Sequence, residues 1–124
     1  MISRAGSEMA YRWHIFLVNL GPVVGSEQGK TRPVLIISEE EINQILPVVN
    51  VLPITSRKQG RIIYPNEVII SAGTGGLEKE SIVLCYQIRT LDKKRLAKEM
   101  GKIDDLELQE AINEALCFQL GIVR

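Results

Sequence analysis

The chain has 124 residues, of which 45% are hydrophobic and 24% are charged, and this composition predicts one globular domain and excludes wholesale disorder. Fifteen basic residues balance fifteen acidic ones, so the formal net charge of +0 excludes the strongly basic composition typical of many nucleic-acid-binding domains. Basic residues nevertheless cluster within 30–61 and 89–102, and acidic residues within 39–41 and 104–114, which predicts a dipolar surface.

The N-terminal residues 1–12 lack the apolar core of a signal peptide, and we expect them to form a disordered extension. Residues 13–124 are then a single domain. Met1 and Met9 are both candidate start residues. Because no stretch approaches the roughly 18 apolar residues of a membrane span, we expect a cytoplasmic protein.

Apolar runs rich in β-branched residues predict short strands separated by turns. The predicted strands are residues 11–20, 34–38, 48–52, 67–70 and 81–89, and residues 90–101 can add a short final strand. Residues 39–46 predict a short helical turn that Pro47 ends, and residues 53–56 are predicted to leave the sheet. The expected fold is mainly β, a small and strongly curved antiparallel barrel with one C-terminal helix.

The loop at residues 25–33 reads Gly-Ser-Glu-Gln-Gly-Lys-Thr-Arg-Pro and lies between two apolar runs. Pro33 biases Arg32 toward an extended backbone, so the guanidinium is fixed at the mouth of the second strand. A guanidinium held there beside hydroxyls, amides and backbone donors is suited to binding a phosphate through two parallel hydrogen bonds. The alternative is an ordinary surface loop with a salt-bridged arginine.

Other polar features follow along the chain. Thr55 and Ser56 place two hydroxyls after the third strand, and the basic loop 57–66 is able to cover a ligand. The glycine-rich residues 71–76 lack the lysine and following helix of a phosphate loop, which favours a tight connection.

The last segment predicts a helix. Asp104 is the predicted N-cap, Glu107 completes a capping box and Gly121 ends the helix. Its apolar stripe covers either the sheet or a twin subunit. The stripe consists of Leu108, Ile112, Ala115 and Leu116.

The two cysteines and the single histidine limit the disulfide and metal chemistry that the chain can have. Cys85 and Cys117 lie in apolar segments without paired spacing, which predicts reduced thiols rather than a disulfide. His14 is the single histidine, and zinc needs three or four close ligands, so we predict neither a metal nor a cofactor.

Several short motifs occur in one order along residues 13–122. They are Leu-Gly-Pro at 20–22, Gly-Ser-Glu-Gln-Gly at 25–29, Arg-Pro at 32–33, Pro-Ile-Thr-Ser at 53–56, Gly-Leu at 76–77, Ser-Ile-Val-Leu at 81–84, Gln-Ile-Arg-Thr-Leu-Asp-Lys at 87–93 and Leu-Gly at 120–121. In these motifs the chain resembles the MazF/PemK-type toxins of bacterial type II toxin-antitoxin modules. It departs from them where the family typically has Gly-Asp before the first strand, because this chain has Trp13 and His14.

The resemblance implies an SH3-like plasmid-maintenance-toxin barrel that forms a homodimer. It implies a sequence-specific, metal-independent endoribonuclease that cleaves single-stranded RNA, inhibits translation and growth, and is neutralised by a cognate antitoxin on the same surface. By position, Arg32 and Thr55 match the family's catalytic arginine and threonine. The matching RNA-binding positions are Ser26, Glu27, Gln28, Gly29, Thr31 and Gln87.

The chemistry expected of such a site is attack of a ribose 2′-hydroxyl on the adjacent phosphorus, which leaves a cyclic phosphate and a free 5′-hydroxyl. Glu27 is a candidate base, or it accepts hydrogen bonds from a nucleobase. His14 has a suitable unperturbed pKa, but its place in the first strand favours a structural role. One alternative function is a non-catalytic toxin on the same barrel that poisons a protein such as DNA gyrase, and another is an inactive remnant with a diverged first strand.

Overall fold

The computed structural model describes residues 9–20 and 31–124. Three single 3-10 turns interrupt the regular elements, at Thr74–Gly76, Cys85–Gln87 and Lys93–Arg95. The strands and helices are β1 His14–Asn19, β2 Thr31–Ile36, α1 Glu40–Ile45, β3 Val48–Ser56, β4 Glu67–Ile70, β5 Ser81–Leu84, β6 Arg89–Asp92, β7 Leu96–Lys102 and α2 Leu106–Leu120.

Within 9–20 and 31–124, seven strands form one antiparallel sheet. Six follow the order β4-β5-β3-β2-β1-β7, and β6 pairs with the part of β3 that precedes its pairing with β5. The predicted mainly β fold with a C-terminal helix is therefore confirmed. In the described part of the chain no strand pairing joins β4 to β7, so the sheet is not closed.

Side chains alternate between two apolar clusters on opposite faces of the sheet, as the two-residue period of a strand requires. Leu35 and Leu52 belong to the first cluster, which also contains Ile112 of α2. Val34 and Val51 belong to the second cluster. The helix therefore covers one face of the sheet.

None of the helices among the described residues has the length and apolar character of a membrane span.

Several predicted strand boundaries were wrong. β1 spans His14–Asn19 instead of 11–20, and β2 spans Thr31–Ile36 instead of 34–38. β3 does not end at Leu52 but continues to Ser56, because β5 pairs with it from Ile54 onward. The predicted strand 81–89 is interrupted by the turn Cys85–Gln87, so that β5 and β6 pair with β3 in succession. The apolar alternation runs unbroken through this turn and gave no signal of the interruption.

The entry to β1 is held by several backbone contacts. The carboxylate of Glu40 accepts hydrogen bonds from the backbone N–H groups of Tyr11 (3.0 Å) and Arg12 (2.8 Å). Burial raises the pKa of Glu40, but these bonds and those from neighbouring amide side chains outweigh it and lower the pKa. Residues 1–8 of the predicted extension lie outside the described residues, and the extent of disorder stays a prediction.

Trp13 has a left-handed backbone, with φ of 70°, and it is the one non-glycine residue with positive φ among the described residues. Its N–H donates to the carbonyl of Ile36 (2.8 Å), and its carbonyl accepts from the N–H of Ile103 (2.9 Å). The indole is buried in the first cluster. Burial and two backbone hydrogen bonds therefore hold this residue in an unfavourable conformation.

The turn Thr74–Gly76 packs its backbone directly against β7. A Cβ at Gly76, where φ is 80°, would lie 2.1 Å from the carbonyl oxygen of Met100, and a Cβ at Gly101 would lie 2.5 Å from the carbonyl carbon of Gly75. Because the turn belongs to the connection between β4 and β5, this contact joins the two ends of the open sheet.

The N-cap of α2 is Asp105 and not the predicted Asp104, since the side chain of Asp105 accepts from the N–H of Glu107 (2.9 Å). The predicted C-cap, Gly121, is confirmed in the left-handed conformation. The Asp105→Ala substitution should lower the free energy of unfolding by about 1 kcal/mol, because it leaves a helix N–H without its acceptor.

Asp104→Ala is the matched control for the cap. Asp104 forms an exposed ion pair with Lys102 (3.3 Å), and such pairs contribute at most about 1 kcal/mol and often nothing measurable. Urea denaturation of both variants measures the difference. A larger loss in Asp104→Ala than in Asp105→Ala would restore Asp104 as the cap.

Candidate functional site

Arg32 is the second residue of β2 and is half-buried. It pairs across the ladder with Val18, and it shares the strand face of Val34, so its side chain lies on the face of the second cluster. Among the described residues its guanidinium has no ion-pair or hydrogen-bond partner. A half-buried arginine without a carboxylate partner is available to bind an anion.

Thr55 lies near the end of β3, is half-buried, and pairs with Ile82 of β5. β2 and β3 are neighbours, and Val34 pairs with Pro53 at the last position of their ladder. Arg32 and Thr55 each lie two residues beyond that pair, at the same end and on the same face. The register therefore places these two residues, which are far apart in sequence, at the same end of neighbouring strands.

The other predicted site residues are distributed more widely. Thr31 is exposed on the opposite face of β2 from Arg32, at the start of the strand. Gln87 is exposed at the end of the turn Cys85–Gln87, which follows β5. The remaining four lie outside the described residues: Ser26, Glu27, Gln28 and Gly29.

His14 lies on the same sheet face as Arg32 but at the opposite end of β1. Its Nδ1 contacts a carboxylate oxygen of Glu99 on β7, and its ring lies 6.5 Å from the ring of Phe16. These contacts favour the structural role over proton transfer at Arg32.

Arg89 is a basic residue of this face that the sequence analysis did not single out. It pairs with Val51, which belongs to the second cluster, and its exposed guanidinium has no partner among the described residues. In a continuous strand 81–89, Arg89 would lie on the sheet face opposite Arg32. The turn Cys85–Gln87 shifts the alternation of side chains and places Arg89 on the Arg32 face, so the sequence analysis missed it.

The basic loop after β3 is partly neutralised by ion pairs. Arg57 pairs with Glu80 (3.2 Å), and Arg61 pairs with Glu67 through two hydrogen bonds of 3.0 and 2.6 Å. The Glu67 side chain is 1% exposed, and the bonds from Arg61, against the effect of burial, hold the pKa of this carboxyl below its usual range. The paired Arg61 therefore acts as a fixed structural element.

Both cysteines are free thiols, as predicted. Cys85 is fully buried, and burial raises its pKa to about 12, so the thiol stays protonated and unreactive at neutral pH. Cys85 is therefore a packing residue.

An open antiparallel sheet is covered on one face by a helix, and Arg32, which has no partner among the described residues, lies at the same strand end as Thr55. These features define a small β-sheet protein whose candidate site suits an anion. Residues 11–120 match the family of PemK-like, MazF-like toxins of type II toxin-antitoxin systems. The chain belongs to this family.

The chain is 39% identical over 112 residues to the Endoribonuclease EndoA of Bacillus subtilis. The match covers 90% of this chain and 95% of that protein. A MazE-MazF structure from Deinococcus radiodurans is 29% identical with a TM-score of 0.73, covering 91% of this chain and 96% of that one. A mycobacterial endoribonuclease solved in complex with its cognate antitoxin is 23% identical with a TM-score of 0.77, covering 94% and 99% of the two chains, and it shows the common fold.

Proposed function

We propose that this protein is a cytoplasmic, sequence-specific toxin endoribonuclease that cleaves single-stranded RNA without a metal and leaves a cyclic phosphate and a 5′-hydroxyl. Family membership and the endoribonuclease relative support the activity. The observation that carries the proposed chemistry is the guanidinium of Arg32, without a partner among the described residues, on the same face and at the same strand end as the hydroxyl of Thr55.

RNA supplies the nucleophile, since its 2′-hydroxyl is adjacent to the scissile phosphate. The protein then has to position the backbone and stabilise the charge that develops on the phosphoryl oxygens. In our proposal the guanidinium of Arg32 donates two hydrogen bonds to these oxygens, and the hydroxyl of Thr55 donates a third.

Proton transfer needs a separate group, because an arginine side chain stays protonated and is a poor base at neutral pH. Glu27 remains the candidate base, with recognition of a nucleobase as its other role. Because His14 contacts the carboxylate of Glu99, we propose no role for this histidine in the reaction.

The proposed partners are single-stranded RNA, a cognate antitoxin and a second copy of this chain. Relatives of the same fold have been solved as MazE-MazF and toxin-antitoxin complexes, which supports an antitoxin for this protein. Free cations on the Arg32 face suit an acidic antitoxin segment as well as RNA, so the two should compete for one surface.

Replacing the single ribose at the cleavage site by deoxyribose should abolish cleavage and largely preserve binding, because the nucleophile is removed while the phosphates remain. The assay is digestion of a single-stranded RNA with excess chelator, with identification of the new 5′ ends and a parallel binding measurement. The all-ribose strand is the control.

Cleavage of the deoxy-substituted strand at the same bond would rule out the 2′-hydroxyl as nucleophile. Loss of all activity on addition of chelator would reject a metal-independent reaction. Gyrase inhibition without RNA breakage would favour the binding-only toxin.

A further inference from the structure

A cavity of about 360 Å³ opens between the loop that precedes β4 and the turn that follows β5. Its lining includes the rings of Tyr64, Tyr86 and Phe118 and the ion pair of Arg61 with Glu67. We infer that this cavity, and chiefly the rings of Tyr64 and Tyr86, is a stacking site for one unpaired base of the RNA substrate. The inference rests on the proposed function, and it adds residues that bind a base of the same RNA strand outside the proposed reaction centre.

The floor of the cavity is rigid. Both carboxylate oxygens of the buried Glu67 accept from the Arg61 guanidinium, and one of them also accepts from the backbone N–H of Tyr64 (3.0 Å). A third hydrogen bond from the Arg61 guanidinium reaches the carbonyl of Ile62 (2.6 Å). The backbone that carries Tyr64 is therefore fixed before any ligand binds, which lowers the entropy cost of binding.

The rings themselves are open to solvent. Tyr64 is 58% exposed, Tyr86 is 41% exposed and Phe118 is 64% exposed, although each is a large side chain beside a cavity. Exposed aromatic rings beside cationic groups are the usual platform for unstacked bases in single-stranded nucleic acids, since every base has a flat π-face.

The cavity is close enough to the proposed reaction centre to bind the same strand of RNA. Tyr86 lies four residues after Ile82, which pairs with Thr55, and this corresponds to roughly 13 Å along an extended chain. Gln87, a predicted RNA-binding residue, is adjacent to Tyr86 in the same turn. A short single strand bound at Arg32 and Thr55 can therefore also reach the cavity.

Charge favours RNA over an apolar peptide as the occupant. The loop that leads into the cavity carries Arg57, Lys58 and Arg61, and Lys58 is exposed without an ion-pair partner among the described residues. Arg57 and Arg61 are already paired with carboxylates, so the exposed Lys58 is the cation of this loop that attracts the phosphates accompanying a base, and an apolar peptide segment gains nothing from it.

The test compares Tyr64→Leu and Tyr86→Leu, singly and together, with the matched pair Tyr64→Phe and Tyr86→Phe. Leucine removes the flat ring but keeps an apolar side chain, and phenylalanine keeps the ring. The readouts are the Kd for a non-cleavable strand with deoxyribose at the cleavage site, the rate of cleavage of RNAs varied one base at a time, and the Kd for an antitoxin peptide.

Each leucine variant should bind the RNA strand about 5- to 150-fold more weakly with little change in base preference, because stacking accepts every base, while the phenylalanine variants stay close to the wild type. The two tyrosines are exposed, so unchanged melting temperatures are expected.

Leucine variants that bind RNA as tightly as the wild type does would overturn the inference while leaving the proposed function intact. Weakened antitoxin binding with unchanged RNA binding would also overturn it and assign the cavity to the antitoxin. A wild-type protein that neither binds nor cuts RNA would reject the proposed function and the stacking site together.

Discussion

Replacing Arg32 by alanine is expected to slow cleavage of single-stranded RNA by about 10²–10³-fold, because the variant loses preorganised donors to the charge that develops on the phosphoryl oxygens. Lysine at this position keeps the charge but loses the two-pronged geometry, so Arg32→Lys should recover only part of the rate. Initial rates on a defined RNA, measured with chelator present, give both numbers.

The control for this experiment is Arg124→Ala, because Arg124, which follows the end of α2, forms an ion pair with Glu110 in the first half of that helix and is not part of the proposed site. Its cleavage rate should equal that of the wild type. Arg32 has no partner among the described residues, so Arg32→Ala should also keep its melting temperature. Full activity in a folded Arg32→Ala protein would reject the assignment of this arginine.

Thr55 provides a second measure of the same reaction centre. Thr55→Val removes the hydroxyl at nearly constant shape and is expected to reduce the rate in the same direction, whereas Thr55→Ser keeps the donor. A Val variant as active as the Ser variant would remove Thr55 from the proposed mechanism.

Replacing Trp13 by alanine should lower the free energy of unfolding by about 3–5 kcal/mol, because a buried indole is lost and a cavity remains. Trp13→Gly leaves the same cavity but relieves the left-handed backbone, whose cost for a residue with a Cβ is about 1–2 kcal/mol. The glycine variant should therefore be more stable than the alanine variant by about 1 kcal/mol.

Urea denaturation of the three proteins, with the slope m compared along with the midpoint, tests this order of stability. Equal stabilities of the alanine and glycine variants would mean that the backbone at Trp13 is not strained. The left-handed φ of Trp13 also gives a physical reason for the glycine that the family resemblance leads us to expect at this position.

The sequence was sufficient for the strands whose apolar runs are bounded by turn residues, such as β4, which has the predicted bounds 67–70. It was also sufficient for the end of α2, since glycine is the residue that adopts the left-handed C-cap at Gly121 with the least cost. Where adjacent residues compete for one role, as Asp104 and Asp105 do at the N-cap, local chemistry did not decide between them.

The candidate site was predictable only in part. Arg32 was identified by its position before Pro33 and Thr55 by its hydroxyl, but their common face depends on the ladder between β2 and β3, which no local pattern encodes. Tyr64, Tyr86 and Arg89 were missed for the same reason, because their position follows from the turn Cys85–Gln87 and from the pairing of Arg61 with Glu67. Tertiary contacts, rather than composition, determine such sites.

The contact between the turn Thr74–Gly76 and β7 limits which mutations this gene can accept. Gly76 and Gly101 stand where any other amino acid would place an atom inside the opposing main chain, at 2.1 and 2.5 Å. The turn and β7 can therefore touch only because Gly76 and Gly101 have no side chains, and this contact links the two ends of the open sheet. Evolutionary drift at these two codons is confined to synonymous changes unless the bridging turn and β7 move apart together.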